Sequence, residues 1–322
     1  MSQVSLTSPR SIFEKQVDIF LANLSAARDA DVEGVHAARV ATRRLRETLP
    51  LFMRSCPRDV DRITYLVKRA GRRLGRVREL DVMEADLLQR AVRLPSAIHA
   101  IGVARLILNR QRAQARRRLV KALDRLALDR DGKLRLSRVT SGWRLFGREG
   151  REAGGWGRVL QHRIGERAED LRTAIDHASA VYFPNRLHQV RIKAKKLRYS
   201  VELAQQSGMW PDAAVLVDLK RGQESLGHLH DAQVLLDSTE GLIVDSGVDP
   251  TQIRLLKEDL EGEISQWHTR YLAARERLRG VCGVCQEFAA HETSRQSFAR
   301  PMLAASALAL PAGLLVLGAR AR

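Results

Sequence analysis

The sequence predicts an all-helical protein, and three observations carry that expectation. Ala, Leu, Arg and Glu dominate the composition, and all four are good helix formers. Long alternations of Val, Ile, Tyr or Thr are absent, so no sheet is expected. Helix start and stop signals recur along the chain.

Ser8-Pro9 reads as an N-cap followed by Pro at the first helical position, opening a helix to about Arg28. Asp31 caps a second helix to about Arg54, broken by Pro57. A third is expected from about Asp59 to Leu74 and, after a break at Gly75, a fourth to about Arg93. Pro95-Ser96 then opens a long helix to about Leu128. Residues 131–157 are Gly-rich and charged and suit a linker. Helices resume near Arg158, with breaks at Phe183-Pro184, Trp210-Pro211 and Ser246–Pro250. Asp249-Pro250 repeats the cap-and-proline signal and opens a helix to about Arg279, with a shorter one following to about Ala299. The expected organisation is a first helical half over 8–130, the linker, a second half over 158–299, and an apolar tail over 300–322.

At 44% apolar residues the chain can build a real core. Its 55 Lys and Arg against 37 Asp and Glu leave a net charge of +18. Such an excess destabilises the compact state unless it is used, which points to a polyanionic partner rather than to solubility alone. The candidates are nucleic acid, an acidic membrane surface or a polyphosphate. Cys56, Cys282 and Cys285 cannot all pair, and a chain of this size needs no disulfide staples. Cys282 and Cys285 form a lone CxxC with no second pair or nearby His ligands, so helix packing is the expected role and no metal is. The N-terminus carries no apolar signal core, and a reducing cytoplasm is expected. Met302 to Ala319 carries no charge. As a helix it would span about 27 Å, near the minimum for a bilayer. Pro311 and the Ala and Gly content weaken insertion. Three readings stay open for this tail: packing on the protein or a partner, disorder, or a membrane anchor.

An internal repeat organises the rest. VHAARVATRRLR from Val35 matches LHQVRIKAKKLR from Leu187 at an offset of 152, pairing His36 with His188, Arg39 with Arg191, Arg43 with Lys195, Arg44 with Lys196 and Arg46 with Arg198. The same offset pairs Lys68-Arg69 with Lys220-Arg221, Leu74-Gly75 with Leu226-Gly227, Glu79 with Asp231 and Val82 with Val234. Two segments keeping one offset without a gap indicate a duplicated helical unit, with a pseudo-two-fold axis expected between the halves.

On a helix, His36, Arg39, Arg43 and Arg46 fall within an arc of about 80°, as do His188, Arg191, Lys195 and Arg198. Val35, Ala38, Leu45 and Leu49, with Leu187, Val190, Leu197 and Val201, form the adjoining apolar arcs. Each helix therefore has a core face and, beside it, a stripe of cations. Like charges at i, i+4 repel by a few tenths of a kcal/mol per pair, and no acid intervenes in either stripe. Solvated faces usually mix signs, so these stripes read as anion sites. Lys68 and Arg72 lie one turn apart and share a face with Gly75 and Glu79; Lys220 holds the matching place, while Glu224 replaces Arg72. Glu79 and Asp231 are expected to orient nearby cations. Neighbouring cations depress a histidine's pKa and a bound phosphate favours its charged form, so His36 and His188 read as anion contacts. His228 and His230, two apart, point to divergent faces and make a poor metal pair.

These motifs carry a resemblance. HxxRVxxRRLR with a downstream LGxxRELDV, repeated as HxxRIKAKKLRYSVEL with LGHLHDAQVL, is similar to the CHAD (conserved histidine α-helical domain) family, over about residues 8–299. The resemblance implies two four-helix-bundle halves about a pseudo-two-fold axis. It also implies basic residues lining a central groove that binds inorganic polyphosphate, and association with polyphosphate granules. Carried over, the ligand residues are His36, Arg39, Arg43, Arg44 and Arg46, then His188, Arg191, Lys193, Lys195, Lys196 and Arg198, with Lys68, Arg72 and Lys220 behind them. Many relatives sit beside a triphosphate-processing CYTH domain. No such segment stands in this sequence, so a non-catalytic protein without a cofactor is expected.

The second candidate is binding of a nucleic-acid backbone. Single-strand binders stack bases on aromatics. No aromatic lies within either stripe, Tyr199 being adjacent only to Arg198, and no helix-turn-helix or finger motif appears. An enzyme of phosphoryl transfer needs metal-holding carboxylates and a phosphate cradle, and neither GxxxxGK[ST] nor an Asp pair on the basic helices is present.

Overall fold

All regular structure among the described residues is helical, as the sequence predicts. The computed structural model describes residues 9–29, 31–52, 57–125, 155–210, 213–243 and 247–305. In chain order the helices are α1 (Pro9–Ala22), α2 (Leu24–Arg28), α3 (Val32–Thr48), α4 (Pro57–Arg93), α5 (Ile98–Arg125), α6 (Gly155–Ala178), α7 (Pro184–Gln206), α8 (Ala214–Ile243) and α9 (Pro250–Ala305). Short 3-10 turns at Leu49–Phe52 and Pro95–Ala97 follow α3 and precede α5. Residues 126–154, which include most of the linker expected over 131–157, lie outside the described residues, as do Ser8, Cys56, Pro211, Ser246 and 306–322 of the apolar tail. No single helix among the described residues is long and apolar enough to cross a membrane.

Capping follows the sequence. The Asp31 carboxylate accepts from the Gly34 N–H at 2.6 Å, and that of Asp249 from the Thr251 N–H at 2.8 Å. Pro184 opens α7 at the first helical turn.

Three boundaries differ. The first helix stops at Ala22, where the Asn23 side-chain amide donates to the Ile19 carbonyl at 2.8 Å and competes with the helical bond. α4 runs through Gly75 without a break. Glycine serves close approach there: a Cβ on Gly71 would stand 3.0 Å from the Thr42 hydroxyl, and one on Gly75 3.7 Å from the Arg39 Nε. Local propensity argued for a break, but contact with α3 carries the helix on. α9 likewise continues past Arg279. Val281, Cys282 and Cys285 are buried on its inner face, and that packing outweighs the glycines at 280 and 283. Burial pushes both thiols up to about 12, in keeping with a packing role.

The helices pair in series. α3 packs on α1, α2 and α4, and α4 on α5; α7 packs on α6 and α8, and α8 on α9. α9 returns to close against α6. The halves of the sequence are joined by α3 with α7, by α4 and α5 with α8, by α5 and the Pro95–Ala97 turn with α9, and by the Leu49–Phe52 turn with α6. The larger hydrophobic core includes Phe13, Leu45, Val67, Leu74, Leu171, Leu197, Leu219 and Tyr271. The smaller sits where the α4–α5 and α8–α9 hairpins meet, with Leu80, Leu87, Ile101, Leu235 and Leu260. Both draw side chains from either side of residues 126–154.

Buried charge in this framework is neutralised. Arg90, fully buried, meets Asp86 at 3.0 Å and also Asp259 and Glu263 of α9. Asp81 takes Arg112 and, at 3.6 Å, Arg116, while Glu84 takes Arg105 at 2.9 Å. Breaking such a set leaves uncompensated carboxylates at the second core. Arg90→Met is therefore expected to lower stability by about 3 kcal/mol in urea unfolding.

Candidate functional site

The stripe residues meet where α3 crosses α7. The apolar arcs of both helices, Val35, Ala38 and Leu45 on one and Val190, Ala194 and Leu197 on the other, are buried in the larger core. Their cationic arcs must then lie along the edge of that contact. Arg39, Arg43, Arg191 and Lys195 converge there, each partly buried.

The electrostatics record the crowding. Burial, then the charges of Arg191, Arg43 and Arg39, drives the Lys195 ammonium down to about 6. Burial with Arg43 and Arg191 brings the Arg39 guanidinium down to about 10. Burial also lowers Arg191, against the pull of Asp231, whose carboxylate lies 3.6 Å from its Nη2. Loss of hydration raises the Asp231 carboxyl itself, against Arg191 and Lys195. Arg43 donates to the Tyr199 hydroxyl at 3.2 Å, across the α3–α7 contact. The buried Nε of Arg191 has no hydrogen-bond partner.

Each histidine sits at the head of its cluster beside a group from α4 or α8. His188 Nδ1 lies 3.3 Å from His230 Nδ1, with the rings 4.6 Å apart, so one ring donates and the other accepts. Burial, then Arg191, His188 and Lys195, drives His230 down to about 3. His36 is lowered by burial and then by Arg78. Arg78 and His230 stand at the same offset of 152 as the histidines they face.

The sequence profile of the CHAD domain matches residues 11–240, well over half of the chain. The chain belongs to the CHAD domain family. Among solved structures it resembles the CHAD domain of the plant Ricinus communis, with a TM-score of 0.59 at 20% identity, over 88% of this chain and 94% of that one. It also resembles PptA from Streptomyces chartreusis, with a TM-score of 0.55 at 18% identity, over 83% of this chain and 98% of that one. At these identities the likeness is one of fold. No curated protein matches the chain.

Within this CHAD fold the predicted residues separate. His36, Arg39, Arg43, His188, Arg191 and Lys195 gather at the seam. Arg46, Lys68, Arg72, Lys196 and Lys220 are exposed, with no carboxylate partner among the described residues. Lys193 turns to α6 and binds Asp170 at 2.7 Å. Arg198 binds Glu202 at 2.6 Å and lies over the Tyr199 ring. Arg44 lines a small recess with Glu47, Tyr199 and Glu202. The arc that unites four stripe positions on an isolated helix is thus cut by neighbours. The second and third positions, Arg39 and Arg43 with Arg191 and Lys195, act across the halves, whereas the histidines at the first meet groups of their own half and Arg198 at the fourth turns to Glu202.

Sequence reasoning missed Arg78, His230 and Tyr199. The first two were legible, because the repeat aligns them one residue before the paired acids Glu79 and Asp231. Tyr199 was not: its partner Arg43 is 156 positions away, and only the α3–α7 crossing brings them together. His228, two residues from His230, instead stacks on Trp267 at 4.3 Å, as expected for divergent faces.

The lowered Lys195 has a sign for stability. The unfolded chain binds a proton at Lys195 up to its ordinary value of 10.5, whereas the folded chain loses it above about 6. Between those values the unfolded state holds more protons, so this group makes stability rise with pH. Lys195→Gln is expected to raise Tm at pH 7 by a few degrees and to flatten the increase between neutral and alkaline pH, both read from thermal melts.

Proposed function

We propose that this CHAD protein binds inorganic polyphosphate at the α3–α7 seam, without catalysing a reaction. The observation that carries the reading is the convergence of Arg39, Arg43, Arg191 and Lys195 with one adjacent carboxylate, Asp231. At the second core the chain surrounds Arg90 with three acids; here it leaves a concentrated positive field. A linear chain of phosphates supplies what is missing. It offers regularly spaced charged oxygens for arginine forks and for a lysine point charge, and no bases to be read.

The acids at the seam are committed to arginines, Asp231 to Arg191 at 3.6 Å and Glu79 to Arg76 at 3.2 Å. That arrangement supports holding an anion over presenting carboxylates to a metal–phosphate substrate. Tyr199, the aromatic at the seam, has its hydroxyl engaged by Arg43 and its ring covered by Arg198. A base-stacking platform for nucleic acid is therefore not favoured. The repeat places His36 with Arg78 and His188 with His230, so a chain lying along the seam would meet both halves alike. Residence at polyphosphate granules would follow from the same affinity.

The test is a binding titration of the full chain with long-chain polyphosphate, with duplex DNA as competitor. Replacing Arg39, Arg43, Arg191 and Lys195 together by Gln should weaken binding at least a hundredfold, at about 1.4 kcal/mol per factor of ten, while melting shows the fold intact or more stable. Unchanged affinity would remove the seam as the site. Failure of polyphosphate to displace DNA at equal phosphate concentration would overturn the choice of ligand. Release of phosphate, or its transfer to an acceptor, would overturn the non-catalytic assignment.

A further inference from the structure

α4 carries a second set of cations beside the first. Lys68 and Arg72 share one arc, and Arg69, Arg73 and Arg76 fall on the next, about 100° around the helix. Across from them α5 presents its arginine-rich segment, Arg110 to Arg118. Some of the cations between these helices have partners. Arg105 goes to Glu84, and Arg112 and Arg116 go to Asp81, fastening α4 to α5.

Beside this fastening lies a cleft of about 290 Å³ between the two helices, lined by Arg73, Arg76, Gln111, Gln114, Ala115 and Arg118. Its lining is three guanidiniums and two carboxamides, with Ala115 the single apolar residue, a donor-rich set suited to an anion. Arg73 and Arg118 are exposed and have no carboxylate partner among the described residues. Arg76 donates to the Gln111 side-chain oxygen at 3.1 Å, which bridges the helices.

The cleft adjoins the seam through one side chain. Arg76 Nη1 lies 3.2 Å from Glu79 Oε2. The charge of Glu79 in turn acts on Arg191. Gly75, the residue before Arg76, stands against Arg39, its Cβ position 3.7 Å from the Arg39 Nε, so a chain of phosphates leaving the seam meets the cleft's cations next along α4.

We propose that the α4–α5 cleft is a second phosphate-binding site, in which Arg73, Arg76 and Arg118 hold the part of a long polyphosphate that overhangs the seam. The inference rests on the polyphosphate reading of the seam and adds a length preference to it. A short oligophosphate fills the seam alone, whereas a long one engages both sites and gains the affinity of a tethered second contact.

The experiment compares tripolyphosphate with long-chain polyphosphate on the full chain and on Arg73→Gln/Arg118→Gln. Both positions are exposed, so melting should match the wild type. Affinity for tripolyphosphate should stay within about twofold, because those cations lie outside the seam. Affinity for the long chain should fall roughly tenfold. The slope of log K against log salt for the long chain should shrink by about two, one for each cation removed. If the long chain binds the variant as tightly and with the same salt slope, the cleft is no site, although the seam stands. If the variant weakens both ligands equally, the cleft does not act as an extension and the length preference is wrong. If the wild type binds neither ligand, the seam reading fails and takes this inference with it.

Discussion

Repulsion among Arg39, Arg43, Arg191 and Lys195 is the constraint on which the rest of this structure turns. The chain shows elsewhere how it handles buried cations. Arg90 is enclosed by three acids, and Asp81 and Glu84 each bind arginines of α5. Where α3 crosses α7 the same neutralisation is withheld, and Asp231 alone faces the cluster closely. The crossing itself is made by apolar arcs, Ala38 and Leu45 against the common core with Ala194 and Leu197. Burial of those arcs supplies the free energy that brings like charges together. α4 can lie close behind them because Gly71 and Gly75 leave room for Thr42 and Arg39.

Loss of a proton is the chain's partial relief. Driven toward its neutral form, Lys195 at neutral pH removes one of the four charges. His188 and His230 share a hydrogen bond that requires at least one of them to be neutral. The cluster is thus less charged than its composition suggests, and a bound polyanion would restore the charge. Ligand affinity and proton affinity become linked at one place in the fold.

Much of this was legible in the sequence. Helix type followed from composition and from the caps at Asp31 and Asp249. The repeat gave the paired histidines, and the wheel gave Arg39, Arg43, Arg191 and Lys195 their common face. What escaped reading was decided by tertiary contact. Gly75 looks like a break until α3 is set against it, and the glycines of α9 until Cys282 and Cys285 are buried. Lys193 and Arg198 share the basic motif, but their fates depend on Asp170 from α6 and on Glu202 one turn along. Tyr199 belongs to the seam through a residue of the opposite half, which no local pattern can announce.

The most direct test of the account is calorimetric titration of the full chain with long-chain polyphosphate at pH 7, in buffers of differing ionisation enthalpy. If the seam holds the ligand with these residues, binding takes up protons, and Lys195→Gln removes most of that uptake while leaving measurable affinity. Tight binding with no proton uptake, or uptake unaltered by Lys195→Gln, would contradict it.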